Sequence, residues 1–391
     1  MIIGIDATNI RRGGGVTHLV ELLRHADPAC QGIKKVVVWS GRNVLSSIED
    51  RPWLQKMHEP VFEKGLIRRA AWQRFRLSRA ARNEACDVLF VPGGSYAGTF
   101  RPMATLSQNL LPFQWQELKR FGWSGMTVKL LLLRLVQTQT FRRAQGLLFL
   151  TTYARNAVMR IVRRTDGMSD IVSHGIDPRF FVAPRVQRGI ESYSEQSPFK
   201  ILYVSIVDMY KHQWVVAETV HFLRLSGFPV TLELVGDSYP PALARLERTL
   251  DQVDPDRNFV RYSGPIPYEA LHERYASADL CVFASSCENL PIILLEGMAA
   301  GLPIACSSRG PMPEVLRDSG VYFDPENSAD MARAVGQLIE SPSLRTQMAA
   351  KSFAFAQAYS WQRCANHTFK FLAQIAGGAV DSTEKTKLHH V

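Results

Sequence analysis

The sequence predicts an α/β protein made of two doubly wound, Rossmann-like domains, with a ligand held at the carboxyl ends of both sets of strands. The chain has 391 residues, 46% of them hydrophobic, which suits two cores better than one. Short apolar segments alternate with helical patterns in both halves of the chain. A polar stretch bracketed by prolines at 183–198 interrupts this alternation and predicts a linker.

The first domain is predicted to span residues 1–182. Its expected strands are Ile2–Asp6, Lys35–Trp39, Val88–Val91, Thr105–Gln108 and Gly146–Leu150. Helical patterns between these apolar segments are typical of a parallel sheet.

The second domain is predicted to span residues 199–360. Its expected strands are Lys200–Ile206, Thr231–Val235, Phe259–Tyr262, Leu280–Phe283 and Pro303–Cys306, and its expected helices are Gln213–Leu225, Pro241–Asp251, Tyr268–Ser277 and Pro291–Ala300. A last helical pattern at 361–376 is long enough to return to the first domain. Residues 377–391 are small and polar and are predicted to be a disordered tail.

The composition of the chain indicates the cellular compartment in which the protein resides. No apolar run reaches the roughly 18 residues of a spanning helix, and Met1–Asp6 lacks the basic flank of a signal peptide. The six cysteines form no C-x-x-C pair, so we expect reduced, buried thiols rather than disulfides or a zinc site. These features predict a cytoplasmic protein.

The formal net charge of +10 predicts an anionic partner or surface. Residues 64–82 contain seven basic residues and no acidic one, interleaved with apolar side chains, and residues 119–143 surround an apolar run with lysine and arginine. Such segments suit the surface of an anionic bilayer, here the inner face of the plasma membrane. The alternative is a solvated basic face beside ordinary core positions. No nucleic-acid motif accompanies the charge.

The most informative segment is 287–303, which follows a predicted strand and opens a helix. Glu288 lies on the loop and Glu296 lies about a turn and a half into the helix, with Pro291 suited to the first helical position. Backbone amides around Asn289, Leu290 and Pro291 would point at an anion such as a diphosphate. Two carboxylates at this spacing can accept hydrogen bonds from two sets of hydroxyl groups without a metal.

A second candidate site follows the first strand, where Gly13-Gly14-Gly15 precedes a helix. Glycines allow close approach of phosphate to the backbone, and the helix amino end favours negative charge. His18 stands where a dinucleotide fingerprint would need glycine. A flexible turn is the alternative.

The segment from Glu288 through Glu296 to Gly297-Met298-Ala299-Ala300-Gly301-Leu302-Pro303 resembles the E-x7-E motif of retaining GT-B glycosyltransferases of family 4, the glycosyl transferases group 1. The resemblance implies two Rossmann-like domains facing each other across a cleft, with the acceptor on the side of the first domain and the nucleotide sugar bound by the second. It also implies a nucleotide-diphosphate sugar as substrate and no metal cofactor. Glu288 would contact the donor sugar, Glu296 would hold the ribose hydroxyls, and Gly14 and Gly15 would close over the diphosphate. Ile266, after Tyr262-Ser263-Gly264, would lie at the nucleobase.

Three residues in two segments depart from the usual pattern of that family. Ile206 stands where most members have arginine, although Lys211 remains to neutralise the leaving diphosphate. Gln108 and Asn109 replace a common His-Asp pair; amides can contact a sugar or acceptor hydroxyl but cannot act as a general base. A solvated loop lysine and a turn-capping asparagine are the alternatives for Lys211 and Asn109.

The resemblance implies transfer of a hexose, with mannose or rhamnose suggested by the O-antigen-like segments 108–113 and 174–177, to a lipid-linked or cell-envelope saccharide. The donor base, linkage and oligomeric state are open. The competing hypotheses are another GT-B enzyme, such as a sugar-nucleotide epimerase or a phosphorylase, and a catalytically silent sugar-nucleotide-binding scaffold.

Overall fold

The computed structural model describes residues 1–11, 13–164 and 166–387, with side chains described up to residue 378. The chain forms two compact units. The first contains Met1–Trp115, Trp123–Gly175 and Ser360–Val391, and the second contains Gln116–Gly122 and Ile176–Tyr359.

The strands and helices alternate along the first part of the chain, up to residue 171. They are β1 (Ile2–Asp6), α1 (Gly14–Arg24), β2 (Lys35–Trp39), α2 (Arg42–Ser46), β3 (Leu54–Met57), α3 (Leu66–Trp72), α4 (Ser78–Asn83), β4 (Val88–Val91), β5 (Met103–Leu106), α5 (Trp115–Lys119), α6 (Gly125–Arg143), β6 (Gly146–Phe149), α7 (Thr152–Val162) and β7 (Met168–Ile171). A π-helical turn at Gln73–Leu77 joins α3 to α4.

Within the described residues, the first unit is built on a seven-stranded parallel sheet in the order β3-β2-β1-β4-β5-β6-β7. The central strands are buried along almost their whole length because helices cover both faces of a parallel sheet. The two edge strands, β3 and β7, are only partly buried or exposed. Neither was expected from the sequence, because edge strands lack the apolar run that marks a central strand.

The expected strand Thr105–Gln108 lies two residues earlier, at Met103–Leu106. The amide of Ser107 still bonds to the carbonyl of Leu148, but the chain then turns away from the sheet.

The second part of the chain repeats the alternation from residue 199 and ends in a long helix. Its elements are β8 (Phe199–Val204), α8 (Gln213–Leu225), β9 (Val230–Val235), α9 (Pro240–Val253), β10 (Val260–Tyr262), α10 (Leu271–Ser277), β11 (Leu280–Phe283), α11 (Ile292–Ala299), β12 (Ile304–Ser307), α12 (Met312–Leu316), β13 (Val321–Phe323), α13 (Ser328–Glu340), α14 (Pro342–Ala356) and α15 (Trp361–Lys387). The described residues of the second unit form a six-stranded parallel sheet, β10-β9-β8-β11-β12-β13.

The loops that leave β8, β9 and β10 lie against one another at the carboxyl edge of this sheet. The amide of Gly236 bonds to the carbonyl of Gly264 at 2.9 Å. Gly236 has φ +145°, and a Cβ at this position would collide with the carbonyl oxygen of Ser205. Only glycine therefore fits at position 236. The loops at the carboxyl edge of the second sheet, where the motifs predicted from the sequence lie, are closely packed against one another.

The polar stretch 183–198 differs from an extended linker, because its side chains find partners on the second unit. Arg185 pairs with Asp279 at 2.9 Å, and Arg345 donates to the side-chain oxygen of Gln187 at 3.0 Å. Tyr193 is buried. The chain passes from one unit to the other at residues 115–116, 122–123, 175–176 and 359–360, and the third of these crossings lies within the segment His174–Asp177.

Helix α15 belongs to the first unit, where it packs on the sheet. A Cβ on Gly146 would collide with the side chains of Ile375 and Phe371, so β6 and α15 are in direct contact. The helix continues to Lys387, whereas the sequence predicted a disordered tail from residue 377; adding residues to a helix already begun avoids the cost of nucleation. Residues 388–391 of that predicted tail lie outside the described residues.

No helix among the described residues combines the length and apolar character needed to cross a membrane. The six cysteines are unbridged; five are buried and Cys30 is exposed.

Candidate functional site

The loop from β11 to α11 carries Glu288 to the carboxyl edge of the second sheet. The sequence placed Pro291 at the first helical position, but Pro291 is the residue before the helix, which begins at Ile292. No side chain caps this helix start. The amide of Ile292 bonds to the carbonyl of Leu290 at 2.9 Å, and no side chain caps the other amides of the first turn of α11.

Lys211 reaches Glu288 from the loop that follows β8. Its amide bonds to the carbonyl of Asp208 at 3.0 Å, and its own carbonyl accepts a bond from the hydroxyl of Tyr203 at 2.9 Å. The Lys211 residue is only 4% exposed, and its ammonium donates to Oε1 of Glu288. A solvated loop lysine is therefore the wrong interpretation; the structure brings together the two side chains that the sequence selected for catalysis.

A buried network holds the loop just before Glu288. The hydroxyl of Ser286 donates to Oε2 of Glu117 at 2.7 Å and lies 3.0 Å from Nε2 of His212. Burial lowers the pKa of His212 to about 3, so this imidazole is neutral. Glu117 comes from α5, 169 positions away in the sequence, and Arg120 on the same segment bonds to Glu326 at 2.7 Å and 3.0 Å. Sequence analysis missed this network because nothing local marks α5 as part of the second unit.

Glu296 lies inside the second unit and is 3% exposed. Its carboxylate accepts hydrogen bonds from Tyr275 at 3.1 Å and from Tyr268 at 3.5 Å. Burial raises its pKa to about 8, despite the opposing effect of the two hydroxyl donors. Neither tyrosine was selected from the sequence, and a tyrosine on α10 gives no local sign that it faces α11.

The other second-unit residues predicted to bind the donor lie on the same loops. Asn289, Leu290 and Pro291 are buried between Glu288 and α11. Ile266 is partly buried, two residues after Gly264, which has φ +66°. The structure thus places Ile266 on the loop after β10 and Glu296 on α11.

Ile206 is 39% exposed on the loop after β8. Its carbonyl accepts a bond from the side-chain amide of Gln213 at 2.8 Å, which fixes the backbone while the aliphatic side chain faces solvent. The loop after β8 therefore carries Lys211 as a buried cation, and the side chain at position 206 is uncharged.

The first unit contains the glycine segment between β1 and α1. Gly13 precedes α1 with φ +69°, a conformation that favours glycine. A Cβ on Gly14 would meet nothing within 4 Å, and one on Gly15 would lie 3.1 Å from Oε1 of Gln108. Gly14 thus presents open backbone at the helix start, whereas Gly15 lies against the side chain of Gln108. Arg12, which precedes them, lies outside the described residues.

Gln108 is half-buried and its side-chain amide lies 3.1 Å from Nδ1 of His18. His18 stacks on His174, with ring centroids 4.5 Å apart. Burial lowers the pKa of His18 to about 4, so the pair is uncharged near neutral pH. Gln108 is thus fixed beside Gly15.

Asn109 is exposed and its side-chain oxygen accepts the amide of Leu111 at 3.1 Å. This is the turn-capping geometry that the sequence left open as the alternative to a sugar contact.

Within the part of the chain that the structure describes, no three metal-ligating side chains converge. The second unit instead offers a buried cation, a carboxylate in contact with it, an uncapped helix start and a second carboxylate of raised pKa. Such an edge can hold a polyanion together with hydroxyl groups.

Solved structures that are similar over the whole chain define the class of fold. The chain superposes on sucrose-phosphate synthase from Thermosynechococcus elongatus with a TM-score of 0.73 and 16% identity, covering 97% of this chain and 100% of that one. It superposes on Anabaena Alr3699/HepE in complex with UDP-glucose with a TM-score of 0.68 and 15% identity, again covering 97% and 100%. Two parallel-sheet, Rossmann-like units with these neighbours constitute a GT-B fold.

Sequence comparison finds similarity to known proteins in the second unit. Residues 198–341 match the family described as glycosyl transferases group 1. O-antigen chain mannosyltransferase B of Escherichia coli is 33% identical over 110 residues, which is 28% of this chain and 29% of that protein. D-inositol 3-phosphate glycosyltransferase of Streptosporangium roseum is 32% identical over 134 residues, 34% of this chain and 29% of that protein. The chain thus matches less than a third of the length of either relative.

Proposed function

We propose that the protein is a retaining glycosyltransferase that moves a hexose from a nucleotide-diphosphate sugar to a lipid-linked or cell-envelope saccharide. The observation that carries this proposal is the contact between the buried ammonium of Lys211 and Glu288, just before the uncapped start of α11. This contact lies within the segment that matches glycosyl transferases group 1.

The charges suggest how the donor is bound. A diphosphate that approaches α11 would compete with Glu288 for the ammonium of Lys211, because it carries more negative charge than one carboxylate. Glu288 would then be released towards the sugar, where its charge stabilises an oxocarbenium-like transition state. Glu296 would accept the ribose hydroxyls, and Gly14 and Gly15 would contribute backbone amides to the diphosphate.

Catalysis in this proposal consists of positioning and charge stabilisation. The bond from the anomeric carbon to the diphosphate oxygen breaks, and the acceptor oxygen attacks on the same face. The leaving diphosphate takes the proton of the acceptor hydroxyl. Lys211 and the helix start supply the positive charge, so we propose that no metal is required; turnover that survives EDTA treatment is the expected result.

The comparisons favour transfer over the competing hypotheses. The related proteins described above are a mannosyltransferase and a glycosyltransferase, and one of the structural neighbours was solved with UDP-glucose. These names support a nucleotide-sugar donor and keep mannose among the candidate sugars. A thermal-shift panel of UDP-, GDP- and dTDP-sugars would identify the donor.

The test of the proposed function is nucleotide release from that donor. Glu288→Gln should lower kcat by about 100-fold or more, as expected for loss of transition-state stabilisation, while the variant remains folded. Glu340→Gln, on the exposed end of α13, is the matched control and should behave as wild type. Wild-type turnover in Glu288→Gln would contradict the assignment. Donor binding without any turnover in the wild-type protein would indicate a silent scaffold.

We also propose that the first unit docks on an anionic membrane, where a lipid-linked acceptor would reside. Helix α6 exposes a stripe of aliphatic side chains at helical spacing, Val128, Leu131, Leu132, Leu135 and Val136. Trp123, just before this helix, is fully exposed, and no acidic residue lies between Lys119 and Arg143. Apolar side chains presented among basic ones are typical of interfacial helices.

The segment 64–82 has the same character. Leu66, Ile67 and Phe75 are exposed, and of its seven basic residues only Arg69 is buried. The interpretation of these apolar residues as ordinary core positions is wrong for the three exposed ones. Residues 119–122 of the other predicted stretch belong to the second unit, so its membrane-facing part begins at Trp123.

Vesicle co-sedimentation tests this docking. The wild-type protein should bind phosphatidylglycerol vesicles more strongly than phosphatidylcholine vesicles, and high salt should weaken the binding. The double substitution Leu132→Glu and Leu135→Glu should release it. Leu225→Glu, at an equally exposed leucine of the second unit, is the control and should bind as wild type.

A further inference from the structure

The buried network of Glu117, Ser286 and His212 joins two loops of the second unit to a segment from an earlier part of the chain. Residues 116–122, which carry Glu117, belong to the second unit, whereas the residues on either side of them belong to the first. Glu117 and Ser286 are each 6% exposed, and His212 is 1% exposed. The donor contacts proposed above include none of these three residues.

The hydrogen bonds of this network run in one direction. Oε2 of Glu117 accepts from Nε of Arg120 at 2.7 Å, and a carboxylate oxygen paired with a guanidinium has no proton to donate. The hydroxyl proton of Ser286 therefore points to Glu117, 2.7 Å away. The lone pairs of the same hydroxyl face Nε2 of His212 at 3.0 Å, so Nε2 carries the single N–H of this neutral imidazole. Each side chain thus fixes the orientation of the next.

Ser286 is the junction of the two loops that carry the catalytic candidates. Its amide bonds to the carbonyl of Tyr210 at 2.8 Å, and its hydroxyl accepts from His212. Tyr210 and His212 are the two neighbours of Lys211 in the sequence. Ser286 itself lies two residues before Glu288. One serine therefore sets the spacing between the backbone segments that carry the Lys211 ammonium and the Glu288 carboxylate.

The backbone at His212 has a conformation that the surrounding structure must hold. Its φ is +53°, in the left-handed region that is uncommon for residues other than glycine. Its carbonyl accepts the amides of Val215 and Val216 at the start of α8, and its ring bonds to Ser286. These bonds over-determine a strained position directly beside Lys211. Loss of the bond to Ser286 should therefore let the loop of Lys211 relax.

We infer that Glu117 and Ser286 are positioning residues that hold the pair of Lys211 and Glu288 in the geometry that the transition state requires. Neither residue touches the donor: Glu117 acts through Ser286, and Ser286 acts through the two loops. The inference rests on the proposed function, because the geometry of the pair affects turnover only if the pair acts on a donor. A displacement of about 1 Å can lower a rate by about 100-fold, so residues without substrate contact can control kcat.

Stability alone is a poor explanation for a carboxylate at position 117. Burial of Glu117 with Arg120 takes both charges out of water, and replacing a buried ion pair by apolar residues of similar volume is often neutral or stabilising. A leucine would have about the same volume as the glutamate. It would provide no acceptor for the hydroxyl of Ser286, and this acceptor is what the inference requires.

Nucleotide release from the preferred donor tests the inference with two substitutions at position 117. Glu117→Leu removes the acceptor and should lower kcat by about tenfold or more, with a smaller change in the KM for the donor. Glu117→Gln keeps an oxygen that accepts from Ser286 and should recover most of the lost kcat. Glu84→Leu is the matched control, because it removes a carboxylate that pairs with Lys35 at 2.8 Å in the first unit. Its kcat should equal that of wild type.

Combined substitutions test the order of action. Ser286→Ala should lower kcat about as much as Glu117→Leu does, and the double variant should show no further loss, because Glu117 acts through Ser286. Independent, multiplicative losses in the double variant would overturn the inference, and so would an equal loss of kcat in Glu84→Leu. Wild-type kcat in Glu117→Leu would have the same consequence. Ser286→Ala removes only one oxygen atom, so wild-type kcat in that variant decides against the inference even if Glu117→Leu does not fold.

Urea unfolding separates this inference from the proposed function, because it needs no donor. The coupling energy between Lys211 and Glu288 should be smaller in Ser286→Ala than in the wild-type background, since the network no longer holds the two loops. If this energy falls but the wild-type protein turns over no nucleotide sugar, the proposed function fails and the positioning of the pair stands. If the wild-type protein is active and the coupling energy is the same in both backgrounds, the positioning role fails alone.

Discussion

The hydroxyl of Tyr275 donates a hydrogen bond of 3.1 Å to Oε2 of Glu296, and both residues are buried in the second unit. The same hydroxyl lies 3.2 Å from the carbonyl of Ile293. Tyr275 therefore fixes the rotamer of the carboxylate that the sequence assigned to the donor ribose. In the proposed donor site, Tyr275 would act as a positioning residue, through Glu296, rather than on the substrate itself.

We predict that Tyr275→Phe weakens nucleotide-diphosphate binding several-fold and destabilises the protein by about 1–2 kcal/mol, because a buried acceptor loses its donor. The pKa of Glu296 should rise further, since the tyrosine hydroxyl stabilises the ionised form. Calorimetry with the preferred nucleotide and urea unfolding measure the two effects. Unchanged affinity in a destabilised variant would leave Tyr275 with a purely structural role.

The raised pKa of Glu296 predicts a pH-dependent stability. Burial raises the pKa from 4.5 to about 8, so between these values the folded protein keeps a proton that the unfolded chain releases. The contribution of Glu296 to the free energy of unfolding is therefore fully present below about pH 4.5, and it declines as the pH rises towards about 8. In Glu296→Gln the group no longer titrates, so the variant should lose less stability over this interval.

The measurement is the difference in free energy of unfolding between wild type and Glu296→Gln at about pH 5 and about pH 8. As the pH rises from about 5 to about 8, the free energy of unfolding of the variant should increase relative to that of the wild type, by an amount on the order of a few kcal/mol. Comparing two proteins at each pH cancels the titration of other groups. Parallel pH profiles for the two proteins would show that Glu296 keeps an ordinary pKa.

The pair of buried Lys211 and partly exposed Glu288 predicts strong coupling. Lys211→Met leaves a carboxylate without its cation, and Glu288→Gln leaves a buried ammonium without its anion; each should destabilise the protein by about 3–5 kcal/mol at most. The double variant should lose less than the sum of the two, because it leaves no unpaired charge. Urea unfolding of the four proteins gives the coupling energy. Additive effects would mean that the two side chains do not interact in solution.

Substitution of Gly14 shows whether a glycine is needed at this position for folding or for binding of the ligand. A Cβ at Gly14 would meet nothing within 4 Å, so Gly14→Ala at the first position of α1 should raise stability by about 0.5–1 kcal/mol. If the diphosphate approaches this backbone, the same methyl group should lower kcat/KM for donor turnover by about tenfold or more. Gly13→Ala should instead be destabilising, since φ is +69° there. Full activity in Gly14→Ala would remove this residue from the donor site.

Position 206 offers a gain-of-binding test. Ile206 is 39% exposed, so an arginine there would not bury its charge. Ile206→Arg should tighten binding of the preferred nucleotide diphosphate by about three- to tenfold, and the gain should shrink at high salt. Leu225→Arg adds the same charge far along the chain on α8 and serves as the control. Equal effects from both substitutions would indicate nonspecific attraction.

The apolar segments were sufficient to predict the central strands. Strands such as Val88–Val91 and Leu280–Phe283 are buried on both faces and therefore consist of uninterrupted apolar residues. The edge strands Leu54–Met57 and Met168–Ile171 face solvent, so their sequences carry polar residues and resemble loops. Their place in the sheet depends on pairing with a neighbour, which no local pattern encodes.

The candidate site was predictable where one loop carries several functional residues. Glu288 and α11 are contiguous, and Lys211 follows the end of a strand, so local pattern was enough to select them. Tyr275, Ser286 and Glu117 became visible only through distant pairings, such as the bond from Ser286 to Glu117 across 169 positions.

The assignment of Gln116–Gly122 to the second unit governs how the chain can be divided. A fragment that begins at residue 176 would lack Glu117 and Arg120, and Ser286 and Glu326 would lose buried partners beside the loop of Glu288. A fragment that ends at residue 175 would lack α15 and uncover the face of β6 around Gly146. Cutting the chain between residues 175 and 176 would therefore yield two incomplete pieces, and genetic fusion of the missing segments would be needed before either half could be studied alone.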